Sequence, residues 1–232
     1  MNNWRQTSSK SILVPRRIEE RQENRIKSIY RLLQPKRIEG DLDPHGIPIT
    51  NLGSLEYVGG SLDLQDTKVS SLGNLKFVGG SLFLQDTQIT SLGNLEHVGG
   101  SLFLQHTPIT SLGNLKYVGG SLDASDTLII FLDNLGRVEG FLDLEDVPIT
   151  NLGNLEYVGG HLALRNTKII SLGNLTHVGG YLDLRDTSIT NFGKLKHIGG
   201  WLHLKMANIS QEQRNEMLKN VKIRGGVTTI CE

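Results

Sequence analysis

The chain has 232 residues, 38% of them hydrophobic and only 6% aromatic, and its 24 Lys or Arg are balanced by 24 Asp or Glu. No run of eighteen apolar residues occurs, which excludes a spanning helix, and the one cysteine, Cys231, excludes an internal disulfide. The zero net charge hides a segregation: residues 1–40 carry ten basic against four acidic side chains, residues 41–200 nine against seventeen, and residues 201–232 five against three. An acidic middle therefore lies between two basic ends.

Residues 1–14 read as a polar, basic arm in which Trp4, Ile12, Leu13 and Val14 are the available anchors. This stretch has no signal-peptide apolar core, so the cytoplasm is the expected location. After Pro15, the segment RRIEERQENRIKSIYRLL sets Ile18, Ile26, Ile29, Tyr30 and Leu33 mostly on one helical face, predicting a capping helix over 15–37. Its interleaved Glu19, Glu20 and Glu23 fit i,i+4 pairing along a helix better than contact with nucleic acid. No nucleic-acid partner is expected.

From about Leu52 to Ile209 a twenty-residue unit repeats almost without interruption, reading LGNLKFVGGSLFLQDTQITS over 72–91. A period of this size marks a solenoid, in which each coil covers the apolar face of the one before. Leu52, Leu55, Val58, Leu62, Leu64 and Val69 have equivalents every twenty residues, enough for a continuous core. Ser61-Leu62-Asp63-Leu64-Gln65 alternates as a half-buried strand should, and such strands stack in parallel at about 4.8 Å. Gly53 and the pair Gly59-Gly60 mark turns or close backbone approaches. The columns headed by Asn74 and Thr67 are placed to hydrogen-bond the adjacent turn. Asp133 and Glu139 break the glycine columns, so that coil is the most irregular.

The coil from Ile38 keeps Gly40, Leu42 and Ile49 but has Pro44 in the place of the second strand leucine, which makes it a degenerate first coil. Beyond residue 209, Ser210 with Gln213 reads as a capping box before a short helix containing Met217 and Leu218, and 225–230 reads as a returning strand. The expected fold is mainly β: a single parallel β-solenoid of about nine coils over 38–209. An N-terminal capping helix precedes it, and a helix plus strand over 210–232 closes it.

The string V-G-G-S-L-D-L-Q-D-T-K-V from Val58 to Val69 resembles the L-x-L-x-x-N-x-L strand of leucine-rich repeats, with Thr67 in the asparagine place. The wider pattern L-x-x-L-x-x-V-G-G-x-L-x-L is closer still to the repeats of receptor L domains, the ligand-binding solenoids of the insulin and epidermal growth factor receptors. The resemblance covers 38–209 and implies an architecture and a binding surface without a common chemistry. The receptors' disulfides have no counterpart here, so a receptor role does not follow.

Function is sought where the outward strand positions vary. The column at Ser61 runs Ser81, Ser101, Ser121 and then Phe141, His161, Tyr181, Trp201. The column at Asp63 holds Phe83, Phe103 and, at its end, His203; the column at Gln65 ends in Arg165, Arg185 and Lys205. Exposed aromatics with arginine are the composition of a protein-binding hot spot. Phe141, His161, Arg165, Tyr181, Arg185, Trp201, His203 and Lys205 are the candidate partner-binding residues, with Phe83 and Phe103 as a smaller second patch. A C-terminal cap folded over the cluster is the competing explanation. The Tyr57, Phe77, His97, Tyr117 column is read as stacking on another face.

Sharper chemistries fail on spacing. The Asp66, Asp86, Asp126, Asp146, Asp186 rank lacks the G-G-x-G-x-D of calcium-binding nonapeptides and reads as a solvated acidic face. His177 and His197 have no recurring third ligand, and Cys231 has no neighbouring histidine. No catalytic residue, cofactor, metal or small-molecule substrate is expected. The leading expectation is a non-enzymatic module that binds a protein partner. A structural subunit of a phage or viral particle, tethered by its arm, is the alternative, with the virion as its location. A secreted bacterial effector with leucine-rich repeats is a third.

Overall fold

The computed structural model describes residues 36–204 and 211–229, together with Asn24 and Lys27. The chain divides into two units, Met1–Leu32 and Leu33–Glu232. In the first, Asn24 and Lys27 are helical; the arm and the remainder of the expected capping helix as far as residue 35 lie outside the described residues, as do Ser210 and Lys205. In the second, the chain winds into a parallel β-solenoid.

Each coil contributes two short strands, so the solenoid has two sheets where alternation alone predicts one. The first sheet begins at Arg37–Ile38 and continues through Tyr57–Val58 and its equivalents to Lys222–Ile223, ten strands in all. The second runs from Leu62–Asp63 to Gly226–Thr229 and has nine. Between them in most coils stands the Gly-Gly pair, replaced by Glu139-Gly140 in the irregular one; it interrupts the alternation, and the predicted 61–65 strand is confined to residues 62 and 63. Register is in steps of twenty, as in Val58↔Val78 and Leu62↔Leu82.

Within the repeat eight turns, from Tyr57–Val58 to Trp201–Leu204, carry both strands, against the nine or so coils expected, and Lys222–Ile223 with Gly226–Thr229 adds a turn beyond it. The first coil falls short for a chemical reason. Leu64 donates its amide to Phe83, but Pro44 at the equivalent place has no N–H, and only an isolated bridge, Leu42↔Leu62, remains. At the other end the step lengthens: His197 pairs with Lys222 and Trp201 with Gly226, twenty-five residues on. The helix α1, Gln211–Leu218, lies within this longer coil.

The repeated aliphatics form one core along the stack. Leu62, Leu64, Val69, Leu75 and Val78 are fully buried, as are their equivalents through Leu202 and Leu204. Complete burial of such a side chain stabilises by roughly 1.5–3 kcal/mol. The glycines divide their labour. Gly53, Gly73 and Gly93 take a positive φ of 58–60° in a turn, whereas a Cβ on Gly79 would stand 2.1 Å from the Gly59 carbonyl oxygen. The pair is glycine because one coil's backbone rests on the next.

The Asp66 rank has a backbone explanation that charge patterning missed. Asp66, Asp86, His106, Asp126, Asp146, Asn166 and Asp186 all have φ between 53° and 60°. Asp, Asn and His are the side chains that best tolerate this left-handed region, and the column contains no other type at these seven positions. Thr67 Oγ1 donates to the Leu64 carbonyl three residues back in its own coil at 2.7 Å, and Thr87 does the same to Leu84. The threonine column thus staples each coil to itself, while Asn94 and Asn134 reach back to Gly73 and Gly113 in the preceding coil.

The irregular coil is specially tied. One oxygen of Asp133, Oδ2, accepts from Ser111 Oγ at 2.9 Å, the Leu112 amide at 2.8 Å and the Gly113 amide at 3.1 Å. On the outward side of the first sheet, Tyr57, Phe77, His97 and Tyr117 stack with centroids 4.6–4.8 Å apart. Arg137 then interrupts the stack, placing its guanidinium 3.7 Å over the Tyr157 ring and pairing with Glu139. Arg37 does the same over Tyr57, at 3.5 Å, and with Glu39.

Candidate binding surface

The recurrence of the Arg-aromatic-Glu device one hundred residues apart exposes a longer period. Arg37-Ile38-Glu39-Gly40 is answered by Arg137-Val138-Glu139-Gly140, Pro48 by Pro148, Glu56-Tyr57 by Glu156-Tyr157, Thr67-Lys68 by Thr167-Lys168, and His97 by His197. Buried positions and the stacked column of the first sheet are kept across this offset. The outward face of the second sheet is not: Asp41, Ser61, Ser81 and Ser101 are answered by Phe141, His161, Tyr181 and Trp201, and Gln65, Gln85 and Gln105 by Arg165, Arg185 and Lys205.

In the first half the outward serines serve the backbone. Ser61 Oγ accepts the Ser81 amide at 3.1 Å, Ser81 Oγ the Ser101 amide and Ser101 Oγ the Ser121 amide, both at 3.0 Å. Asp41 begins this ladder by accepting from Ser61, and Ser121 ends it by accepting from Phe141. Phe141 offers no equivalent acceptor to the next coil. His161 restores the pattern through Nδ1, which accepts the Tyr181 amide at 3.0 Å and leaves the ring proton on Nε2. Aromatic side chains have thus replaced a self-satisfying polar ladder.

These side chains lie together on one face. The His161 and Tyr181 rings stack at 3.9 Å, and His203 meets Tyr181 edge-on at 5.9 Å. Trp201 is 49% exposed, Phe141 39% and Tyr181 36%. The last strand extends the sheet beside Trp201 and leaves the indole open; the backbone at Gly226 lies against it, where a Cβ would stand 2.9 Å from the ring. His203 is more constrained, its Nδ1 lying 2.6 Å from Thr228 Oγ1. Phe83 and Phe103 stack at 5.2 Å in the first half, half-buried. Asp123 follows Phe103 in the ladder, so this pair stands apart from the Phe141 cluster.

The arginines are engaged within the chain. Arg185 grips Asp183 through Nε at 2.9 and 3.0 Å and through Nη2 at 2.5 Å. Arg165 pairs with Glu145 at 3.1 Å and with Asp186 at 3.7 Å. Burial alone would raise the Asp183 carboxyl, but the Arg185 guanidinium and amide outweigh it and hold the group below the ordinary range. Asp143, two coils away in the same column, behaves in the opposite sense. Burial raises it, the Glu145 amide only partly offsets this, and the carboxylates of Asp123, Asp126 and Asp146 add to the rise.

Ala163 is the residue that sequence patterning passed over. It stands in register between Asp143 and Asp183, and its missing bulk opens a cavity of about 210 Å³ lined by Phe141, Leu142, Asp143, His161, Ala163 and Tyr181. The column held the signal, since every other member carries a carboxylate, an imidazole or a phenyl ring. Other exposed apolar side chains were also missed: Leu128, Ile130, Phe131 and Ile170 are 42–57% exposed outside the two sheets. Thr or Ser fills the Ile130 and Ile170 column elsewhere.

Among the described residues no helix is long and apolar enough to cross a membrane. No protein-family model matches the chain, and no curated protein does.

Proposed function

We propose that this chain is a non-catalytic module, built from leucine-rich-repeat-like coils, that binds a protein partner through the second-half face of its second sheet. The observation that carries the reading is selective replacement across the hundred-residue offset. Core, turns and first-sheet stacking persist, while a serine ladder that satisfied the backbone gives way to exposed rings. Rigid aromatics centred on a face supply most of the binding energy at such interfaces, and exposed apolar clusters mark interaction sites. The cytoplasm is the setting we assign, with Phe83 and Phe103 as a subsidiary contact.

The test is affinity capture from the native cell with mass spectrometry, comparing the parent chain with Trp201→Ala/Tyr181→Ala. Loss of one specific partner with an unchanged circular dichroism spectrum is expected. Capture retained at parental strength by the double variant would remove this face from consideration.

A second reading, a structural subunit of a larger particle, draws support from the exposed Leu128, Ile130, Phe131 and Ile170 side chains, since a subunit contacts neighbours on more than one side. In that reading the basic arm 1–14 ties the rod to acidic neighbours. Deleting 1–14 would then block assembly of an otherwise folded chain, and Phe131→Ser would weaken it.

A further inference from the structure

Aromatic and basic composition at the second-half face suggests a partner that is acidic, but the geometry reverses that sign. Arg165 and Arg185 are bound by Glu145, Asp186 and Asp183. Asp123, Asp126, Asp143 and Asp146 have no Lys or Arg among their hydrogen-bond or ion-pair partners within the described residues. Asp123 is held by Gln105 and Ser125, Asp143 accepts only the Glu145 amide, and Asp146 accepts from Asn166. The local field is therefore negative.

The Ala163 cavity sits inside that field. It is lined by the side chains of Phe141, His161 and Tyr181 and by Asp143. Ring faces attract a cation through their quadrupole, and the carboxylate of Asp143 supplies the opposite charge at the same point. The His161 Nδ1 is occupied by the Tyr181 amide and turns no donor toward the notch. The first half has no such site, since Asp63 stands where Ala163 opens the column and Asp41, Ser61 and Ser81 stand where the rings are.

We infer, building on the reading of this face as a protein-binding surface, that the notch at Ala163 receives a basic side chain of the partner, lysine or arginine, beside the rings of Phe141, His161 and Tyr181 and against the carboxylate of Asp143. A volume of about 210 Å³ accommodates one such side chain. The stem packs on the rings and the charged head meets Asp143, so one pocket selects for both apolar length and positive charge.

The probes are n-butylammonium and n-propylguanidinium, analogues of the two side chains, with n-butyrate as the anionic counterpart, titrated into the full chain and followed by amide NMR. Both cations should shift the amides of Phe141, His161, Ala163 and Tyr181. Asp143→Asn should weaken them at least tenfold, while keeping the Oδ1 acceptor for the Glu145 amide. Ala163→Phe, which places in this column the side chain already found at Phe83 and Phe103, should abolish the shifts. Equal or tighter binding of butyrate, cation shifts unchanged in Asp143→Asn, or shifts centred on the Asp66 rank instead would each overturn the inference. A chain that captures its partner through Tyr181 and Trp201 yet does not respond to either cation keeps the binding-module reading and loses this one. A chain that takes both cations at the notch but captures no protein loses the broader reading.

Discussion

The two halves of the solenoid, 37–136 and 137–229, are the same scaffold carrying different faces. In both, six aliphatics per coil are buried, an arginine caps a column of stacked rings, and left-handed turns fall on Asp, Asn or His. In the first half the outward serines hydrogen-bond the next coil and leave little to offer a partner. In the second half that internal use is given up for rings that contact one another and solvent. Stability and recognition thus occupy separate columns, and one can change without the other.

If this separation holds, equivalent core truncations must cost the same in either half. Leu102→Ala and Leu162→Ala should each lower the unfolding free energy by about 2–5 kcal/mol, measured by denaturant titration. A difference between them beyond about 1 kcal/mol would show that the halves are not equally packed. Turn substitutions come next. Asp86→Val and Asp186→Val should each cost about 1–2 kcal/mol because a β-branched side chain resists the left-handed region, whereas Asn166→Gly should be close to neutral.

The carboxylates of the second-half face sharpen the comparison further, because two members of one column respond oppositely to acid. Asp183 has a lowered folded pKa, so its contribution is present above the unfolded value of about 3.9 and is lost as pH falls through the lower folded value. Asp143 has a raised folded pKa, so its ionisation costs stability at neutral pH, and that cost is relieved as pH falls through the raised value. At pH 7, Asp183→Asn should destabilise by about 1–3 kcal/mol, since it weakens a hydrogen-bonded charge pair. Asp143→Asn should stabilise slightly, and the two variants should converge on the parent in acid. Matching pH profiles for both would contradict the assignment. A small effect on stability is also expected from grafting the first-half face onto the second. His161→Ser, Tyr181→Ser and Trp201→Ser together should move the unfolding free energy by less than about 1 kcal/mol while removing partner capture.

The architecture was legible because a twenty-residue period leaves few alternatives: the buried leucines, the parallel stacking and the close-approach glycines all follow from it. The first sheet was not, since Gly59-Gly60 breaks the alternation that would announce a strand at Tyr57. The Asp66 rank is exposed, as a solvated acidic face should be, but its left-handed backbone shows in the sequence only through the exceptions, His106 and Asn166, which share backbone tolerance with aspartate and not charge. The candidate face was found by its aromatics, which are visible as departures from a column. Its electrostatic sign was hidden, because a count of arginines does not say that Glu145 lies one coil from Arg165 or that Asp183 lies on the same side as Arg185. The notch was hidden for a related reason: a cavity is a missing side chain, and composition records only those present.

Near-identical coils pose a problem of alignment, for a chain displaced by one full coil would still bury every leucine. The departure at Asp133 answers it. Its single oxygen holds Ser111 and the amides of Leu112 and Gly113, three bonds that the glycine at this place in the other coils cannot make. The least regular coil therefore acts as an index mark on an otherwise uniform ruler, distinguishing the native count of turns from its neighbours.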